Sequence, residues 1–291
     1  MSATIIDGKL IADQIKREVK RDTEQLMRER GIVPGLAFIL VGEDPASQSY
    51  VRSKGKACEE LGFHSITEKL PPSVRQEDVL RLIHQFNADP KIHGILVQLP
   101  LPKHIDEDEV IMAIDWRKDV DGFHPINVGK LVIGQKCLKP CTPAGIQELL
   151  MRSGNDPAGK HVVVVGRSNI VGKPVANILL QKQAGANAVV TIAHTGGGDI
   201  AQYTKLADIV VVAIGKPGAV TGEMLKPGCV VIDVGINRVA DATAKNGYRI
   251  VGDVHFASAS KVASAITPVP GGVGPMTIAM LMKNTLVAAG G

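Results

Sequence analysis

Aromatic residues are scarce, with Phe, Trp and Tyr together making up 3% of the 291 residues. The interior must therefore be built from Val, Ile, Leu and Ala, the residues of buried parallel strands covered by helices. The same scarcity leaves few platforms for base stacking, and no Lys/Arg block could track a nucleic-acid backbone, so nucleic acid is not an expected partner. No apolar run approaches the ~20 residues that span a bilayer, so no membrane association is expected. The start, Met1-Ser-Ala-Thr-Ile-Ile-Asp7, lacks the basic and apolar regions of a secretory signal, which points to the cytoplasm. Cys58, Cys137, Cys141 and Cys229 form no C-x-x-C pair, and no histidine spacing completes a zinc site. They read as buried or idle free thiols of a reducing compartment. No H-x-x-x-H pair occurs, and Asp119 and Asp121 lack the rest of a calcium-loop pattern, so no metal is expected.

What is present is an apolar fraction of 45%, enough for two cores in a chain of this length, and a net charge of +4 that mildly favours anionic ligands. Helical periodicity runs over residues 8–30 and stops at Gly31. Leu36–Val41 reads as a buried strand, 45–61 as a helix with Pro45 in its first turn and Gly62 past its end, 63–70 as a strand, 75–88 as a helix and 94–99 as a strand cut off by Pro100. That βαβαβ order implies a parallel sheet. A boundary falls near Lys139–Gly145. A helix to Arg152 and a second series follow, with strands at 161–165, 188–193, 208–214 and 229–234 and a terminal helix over 276–289. The fold class is α/β with two α/β domains.

The segment Val162-Val-Val-Val-Gly166-Arg-Ser-Asn-Ile-Val-Gly172 is strand, turn and helix. A doubly wound sheet places a pyrophosphate there, against free N–H groups at a helix N-terminus. Ser168 stands where G-x-G-x-x-G has its second glycine, so a plain strand-to-helix turn is the alternative. An NAD-binding unit carries an acid at the end of the next strand, but here that strand ends Thr191-Ile-Ala-His-Thr195. Arg167 in the turn could clamp a 2′-phosphate that a carboxylate would repel. The pattern therefore favours NADP. Gly166-Arg-Ser-Asn-Ile170 also fails the G-x-S-x-G nucleophile pattern, so Ser168 fits a phosphate contact rather than a hydrolase serine.

Six motifs carry a wider resemblance: Tyr50-Val-Arg-Ser-Lys54, Gly94-Ile-Leu-Val-Gln98-Leu-Pro-Leu-Pro102, Lys118-Asp-Val-Asp121-Gly122, Gly166–Gly172, Asp233-Val-Gly-Ile-Asn237 and Pro270-Gly-Gly-Val-Gly-Pro275-Met-Thr277. Over essentially its whole length the chain resembles the bifunctional methylenetetrahydrofolate dehydrogenase/cyclohydrolase (FolD) family. The resemblance implies a catalytic folate-binding domain over 1–140 with the C-terminal helix 275–291 returning to it, a Rossmann-like NADP domain over 141–274, and a homodimer. It implies oxidation of 5,10-methylenetetrahydrofolate to the methenyl form, then hydrolysis to 10-formyltetrahydrofolate. Catalytic roles would fall to Lys54, Gln98, Tyr50 and Asp121. Tetrahydrofolate derivatives would be held by these residues with Val97, Leu99, Pro270, Gly271, Gly272, Val273 and Gly274, and NADP by Gly166, Arg167, Ser168, Thr195 and Ile232. Many members have Ser where Thr195 stands; Thr keeps the hydroxyl.

The chemistry explains why such residues are wanted. Hydride loss from a carbon between two nitrogens leaves a cation that the substrate's own lone pairs stabilise, so that step needs alignment above all. Hydrolysis needs a group that moves protons. A lysine can do so where burial and a cationic substrate favour its neutral form, and Lys54, four residues after Tyr50 on one helix face, would be that group, oriented by Gln98. Tyr50 would border the folate ring, and Asp121 would accept from pterin N–H groups. The glycines of 271–274 would admit the substrate's close approach or act as a hinge. Three rivals predict otherwise: a dehydrogenase-only member accumulates the methenyl product, a non-catalytic NADP sensor binds without turnover, and an amino- or hydroxy-acid dehydrogenase wants a His–acid pair or an Arg clamp.

Overall fold

A computed structural model describes residues 2–244 and 247–290. The outermost residues of the expected domains, Met1 and Gly291, lie outside the described residues. In chain order the elements are β1 (Thr4–Ile5), α1 (Gly8–Arg30), β2 (Gly35–Val41), α2 (Pro45–Leu61), β3 (His64–Leu70), α3 (Gln76–Ala88), β4 (Gly94–Val97), α4 (Glu107–Ala113), α5 (Pro125–Val132) and α6 (Cys141–Arg152). They continue with β5 (His161–Val165), α7 (Gly172–Leu179), β6 (Val189–Ala193), α8 (Ala201–Thr204), β7 (Ile209–Val212), β8 (Val230–Asp233), β9 (Asn237–Ala240), β10 (Tyr248–Val251), α9 (Phe256–Ala259), β11 (Ala265–Ile266) and α10 (Val273–Ala288).

The chain divides into two units, which we call the lysine unit (Asp13–Cys141 with Ile278–Gly291) and the turn unit (Met1–Ala12 with Thr142–Thr277). In the lysine unit, β3, β2 and β4 form a parallel sheet in that order. Every residue of the central strand β2 is buried, as expected of a strand covered on both faces. The edge strand β3 has no buried residue. Beyond β4, Asp119 bridges to Ile95 in parallel register, which draws residues 118–121 alongside the sheet. The α2 helix starts where the Asp44 carboxylate accepts from the Ser47 N–H at 2.7 Å, and stops at Gly62, whose φ of +74° closes the last turn.

In the turn unit six parallel strands lie in the order β1-β11-β8-β7-β5-β6, with an antiparallel hairpin of β9 and β10 beside them. Val162, Val163, Val164 and Val165 are fully buried, consistent with their unbroken apolar run. The sequence reading places residues 1–12 with the first domain, whereas they pack with the turn unit because β1 pairs in parallel with β11. Strands of two residues have no periodicity to read, and the sheet supplies their partners only after folding.

Candidate active site

Three of the predicted residues converge in the lysine unit. Lys54, on the buried face of α2, donates from Nζ to Gln98 Oε1 at 3.1 Å. Gln98 immediately follows β4; its own N–H extends the sheet to the Ile39 carbonyl, and its Nε2 donates to the Leu99 carbonyl at 2.8 Å. Both amide atoms are thereby committed, and the oxygen can only face the lysine. Asp121 stands close enough to feel the Lys54 charge. Burial raises its carboxyl to about 6; Lys54 opposes that rise and Asp119 adds to it. Tyr50, one turn before Lys54, is 48% exposed and open to a ligand. Val97 is buried and Leu99 half-buried.

Two residues around Asp121 were missed by sequence reasoning. Asn284 on α10 donates from Nδ2 to the carbonyls of Val120 and Lys139, both at 2.8 Å, and so ties the residue before Asp121 to Lys139. Cys141 is buried and donates from Sγ to the Val120 carbonyl at 3.3 Å; burial holds its thiol well above the ordinary range. Burial likewise pushes Cys58 up to about 12 and Cys229 up to about 11. All four cysteines are free, and none of these three is poised as a thiolate.

The glycine-rich turn lies at the carboxyl end of β5. Gly166 has φ +127°, and a side chain there would overlap the Ala213 carbonyl; one at Gly172 would overlap Gly166 itself. Both glycines are therefore demanded by the turn's own closure. Ser168 Oγ accepts from the Val171 and Gly172 N–H groups at 3.2 and 3.4 Å, leaving its O–H free to donate. Arg167 and Thr195 are exposed. His194, just after β6, has a buried Nδ1 with no partner, and a side chain at Gly196 would meet both its ring and the Arg167 guanidinium. An exposed guanidinium and two free hydroxyls fit an anionic nucleotide phosphate. Among the described residues no group of three or more His, Cys, Asp or Glu could hold a metal ion.

Pro270, Gly271, Gly272, Val273 and Gly274 lie in the turn unit. Gly271 has φ +104° and its carbonyl accepts from Lys9 N–H. At Gly272 a side chain would overlap Pro268 and Thr267, so its bareness serves internal packing; at Gly274 only Ile236 stands within contact. The Ile232 side chain is fully buried inside β8, one of four buried residues in that strand. The aliphatic group exposed at the same edge is Ile236, at 53%.

The chain matches the family model for the tetrahydrofolate dehydrogenase/cyclohydrolase catalytic domain over residues 6–121 and that for the NAD(P)-binding domain over 140–290. It is 59% identical over 289 residues to the bifunctional protein FolD of Moorella thermoacetica, covering 99% of each chain. It is 57% identical over 289 residues to that of Syntrophobacter fumaroxidans, covering 99% of this chain and 97% of the other. Among solved structures, the bifunctional FolD of Campylobacter jejuni superposes with a TM-score of 0.93 at 48% identity, covering 99% of both chains. The Trypanosoma brucei enzyme, complexed with NADP and an inhibitor, does so with a TM-score of 0.93 at 44% identity, covering 100% of this chain and 98% of the other. With both domain models matched in order and whole-chain relatives well above half identical, this chain belongs to the tetrahydrofolate dehydrogenase/cyclohydrolase family.

Proposed function

We propose that Lys54, Gln98 and Asp121 carry the folate chemistry of this enzyme, and that Gly166, Arg167, Ser168 and Thr195 hold its cofactor. The enzyme oxidises 5,10-methylenetetrahydrofolate to the methenyl form with NADP and hydrolyses that product to 10-formyltetrahydrofolate, two steps of one-carbon metabolism. The observation that carries the residue assignment is the Lys54–Gln98 hydrogen bond with Asp121 beside it.

When bound, the nicotinamide accepts the hydride. The chain's own residues hold and align the substrate. Asp121, ionised above its raised value of about 6, accepts from pterin N–H groups. Exposed Tyr50 borders the pterin ring. In hydrolysis a water oxygen bonds to the methenyl carbon and gives up one proton to solvent; one carbon–nitrogen bond then breaks as the second water proton moves to the freed nitrogen, leaving the formyl C=O and discharging the cation. Lys54 Nζ is the mobile proton carrier at this site, and Gln98 fixes its position without adding charge. Arg167 and the Thr195 hydroxyl would hold the 2′-phosphate of NADP at the β5 turn.

Replacing Lys54 tests this division. Lys54→Met is expected to lower hydrolysis by ~10²–10⁴-fold while hydride transfer stays measurable, so that methenyl absorbance accumulates. Equal loss of both activities with folate binding intact would overturn it.

The active species is a homodimer in the cytoplasm. Support for the dimer comes from β6, an open sheet edge carrying Val189 at 66% exposure and Ile192 at 42%, with Leu206 at 65% nearby. A monomer mass by light scattering at working concentration would refute it. Support for the compartment comes from four unpaired cysteines. Among the described residues no helix is long and apolar enough to cross a membrane.

A further inference from the structure

Two buried carboxylates sit at the carboxyl edge of the turn unit's sheet, and the chemistry above uses neither. Asp233, the last residue of β8, is 4% exposed, and Asp253, just after β10, is fully buried. Buried carboxylates need several donors to be tolerated. Asp233 Oδ1 accepts from the N–H groups of Gly235 at 3.0 Å and Asp253 at 2.9 Å, and its Oδ2 from Val254 at 3.0 Å. Asp253 Oδ2 accepts from consecutive N–H groups, Ile214 and Gly215, both at 2.8 Å, and its Oδ1 from Asn237 Nδ2 at 2.8 Å. Side chains at Gly235 and Gly252 would overlap the carboxyl groups of Asp253 and Asp233. The pair thus binds together the chain leaving β7, the chain leaving β8, the start of β9 and the segment after β10.

These loops have a definite place in the strand order. Arg167 follows β5 and Thr195 follows β6, whereas β7 and β8 lie on the opposite side of β5. A dinucleotide that crosses the β5 turn with its 2′-phosphate toward β6 must carry its other half over the ends of β7 and β8. Exposed Ile236 and the backbone of Ile214 and Gly215 are there. We propose that Asp233 and Asp253 are positioning residues for the nicotinamide half of NADP, holding rigid the loops on which that half rests. This rests on the seat proposed for the cofactor at the β5 turn.

The pairing of Asp253 with Asn237 allows a reversal test in the full-length enzyme. In Asp253→Asn the amide oxygen can still accept from Ile214 and Gly215, but the new NH₂ group faces that of Asn237. The double variant Asp253→Asn/Asn237→Asp restores one donor and one acceptor and the original charge. Calorimetric titration with NADP and with adenosine 2′,5′-bisphosphate, which lacks the nicotinamide half, reads the two halves separately. Asp253→Asn is expected to weaken NADP by ~10-fold, to leave the bisphosphate unchanged, and to recover in the double variant. Equal weakening of both ligands, unaltered NADP affinity, or no recovery on reversal would overturn the proposal. Should Asp253→Asn fail to fold, Asn237→Ala removes a single donor and is expected to weaken NADP alone, by ~3-fold; a loss shared by the bisphosphate would refute it. Arg167→Ala separates the two ideas: it must weaken both ligands if the seat is right, and an Arg167→Ala enzyme that binds both normally refutes the seat itself.

Discussion

Asp121 in the lysine unit and Asp233 in the turn unit are both raised to about 6 by burial, yet their surroundings give them opposite uses. Asp233 is surrounded by backbone: three N–H groups point at its two oxygens and hold the strand ends together. Asp121 has the charge of Lys54 acting on it rather than backbone donors, and retains accepting capacity. A shifted titration alone therefore does not distinguish a ligand group from a scaffold group. The identity of the donors does, because backbone donors cannot leave when a substrate arrives.

The largest effect expected from this contrast is on folate binding. Asp121→Asn replaces two acceptors with one acceptor and one donor, and the loss of charge-assisted hydrogen bonds should raise the folate KM by ~10–100-fold. Its stability at neutral pH should hold or improve, since a buried ionised group is removed. Asp233→Asn should behave conversely, with a lower unfolding midpoint and an unchanged folate KM. Steady-state kinetics and urea unfolding on the two variants check both; a raised folate KM in Asp233→Asn, or a lowered midpoint in Asp121→Asn, would break the contrast.

A smaller effect should appear in the wild-type enzyme. As pH falls through about 6, Asp121 gains a proton and loses acceptor strength, so the folate KM should climb. The groups acting on it are Lys54, Asp119 and Cys141. A folate KM that stays flat between pH 7.5 and 5 would remove Asp121 from substrate recognition.

The two units differed equally in how much of them could be read in advance. The α2 helix was legible at both ends, because Pro45 and Gly62 are local signals whose effect does not depend on distant chain. Buried runs such as Val162–Val165 were legible because a strand covered on both faces needs no alternation. The resemblance singled out Lys54, Gln98 and Asp121, and folding brings them together through α2, β4 and the bridge from Ile95 to Asp119. Asp253 and Asn284 were not legible. Each acts by meeting backbone groups far along the chain, at Ile214 and at Val120 and Lys139, and nothing local marks such a partner. Ile232 and Ile236 share one short segment, Ile232-Asp-Val-Gly-Ile236, and only the end of β8 decides which of their side chains is covered.

The smallest effect, and the most direct measure of the scaffold carboxylate, is the slope of stability against pH. Asp233 has an ordinary value of 3.8 and a folded value of about 6. Between those values the folded chain keeps a proton that the unfolded chain has released, so stability must fall as pH rises. Below the lower value both states are protonated and the advantage is complete; above the upper value it is gone. Asp121 and Asp119 are also raised and add slope of the same sign. Asp78, Asp115, Asp208 and Asp241 are lowered by their hydrogen-bonding neighbours and oppose it weakly, below the ordinary value. Asp233→Asn removes one proton from the difference, which is worth at most ~1.4 kcal/mol per pH unit over that window. Urea unfolding at several pH values from 4 to 7 should therefore give a shallower loss in the variant than in the wild type, even though the variant is the less stable protein throughout. Parallel curves would mean that the three backbone donors keep Asp233 ionised across the whole range, and that its burial is fully compensated by the loops it holds.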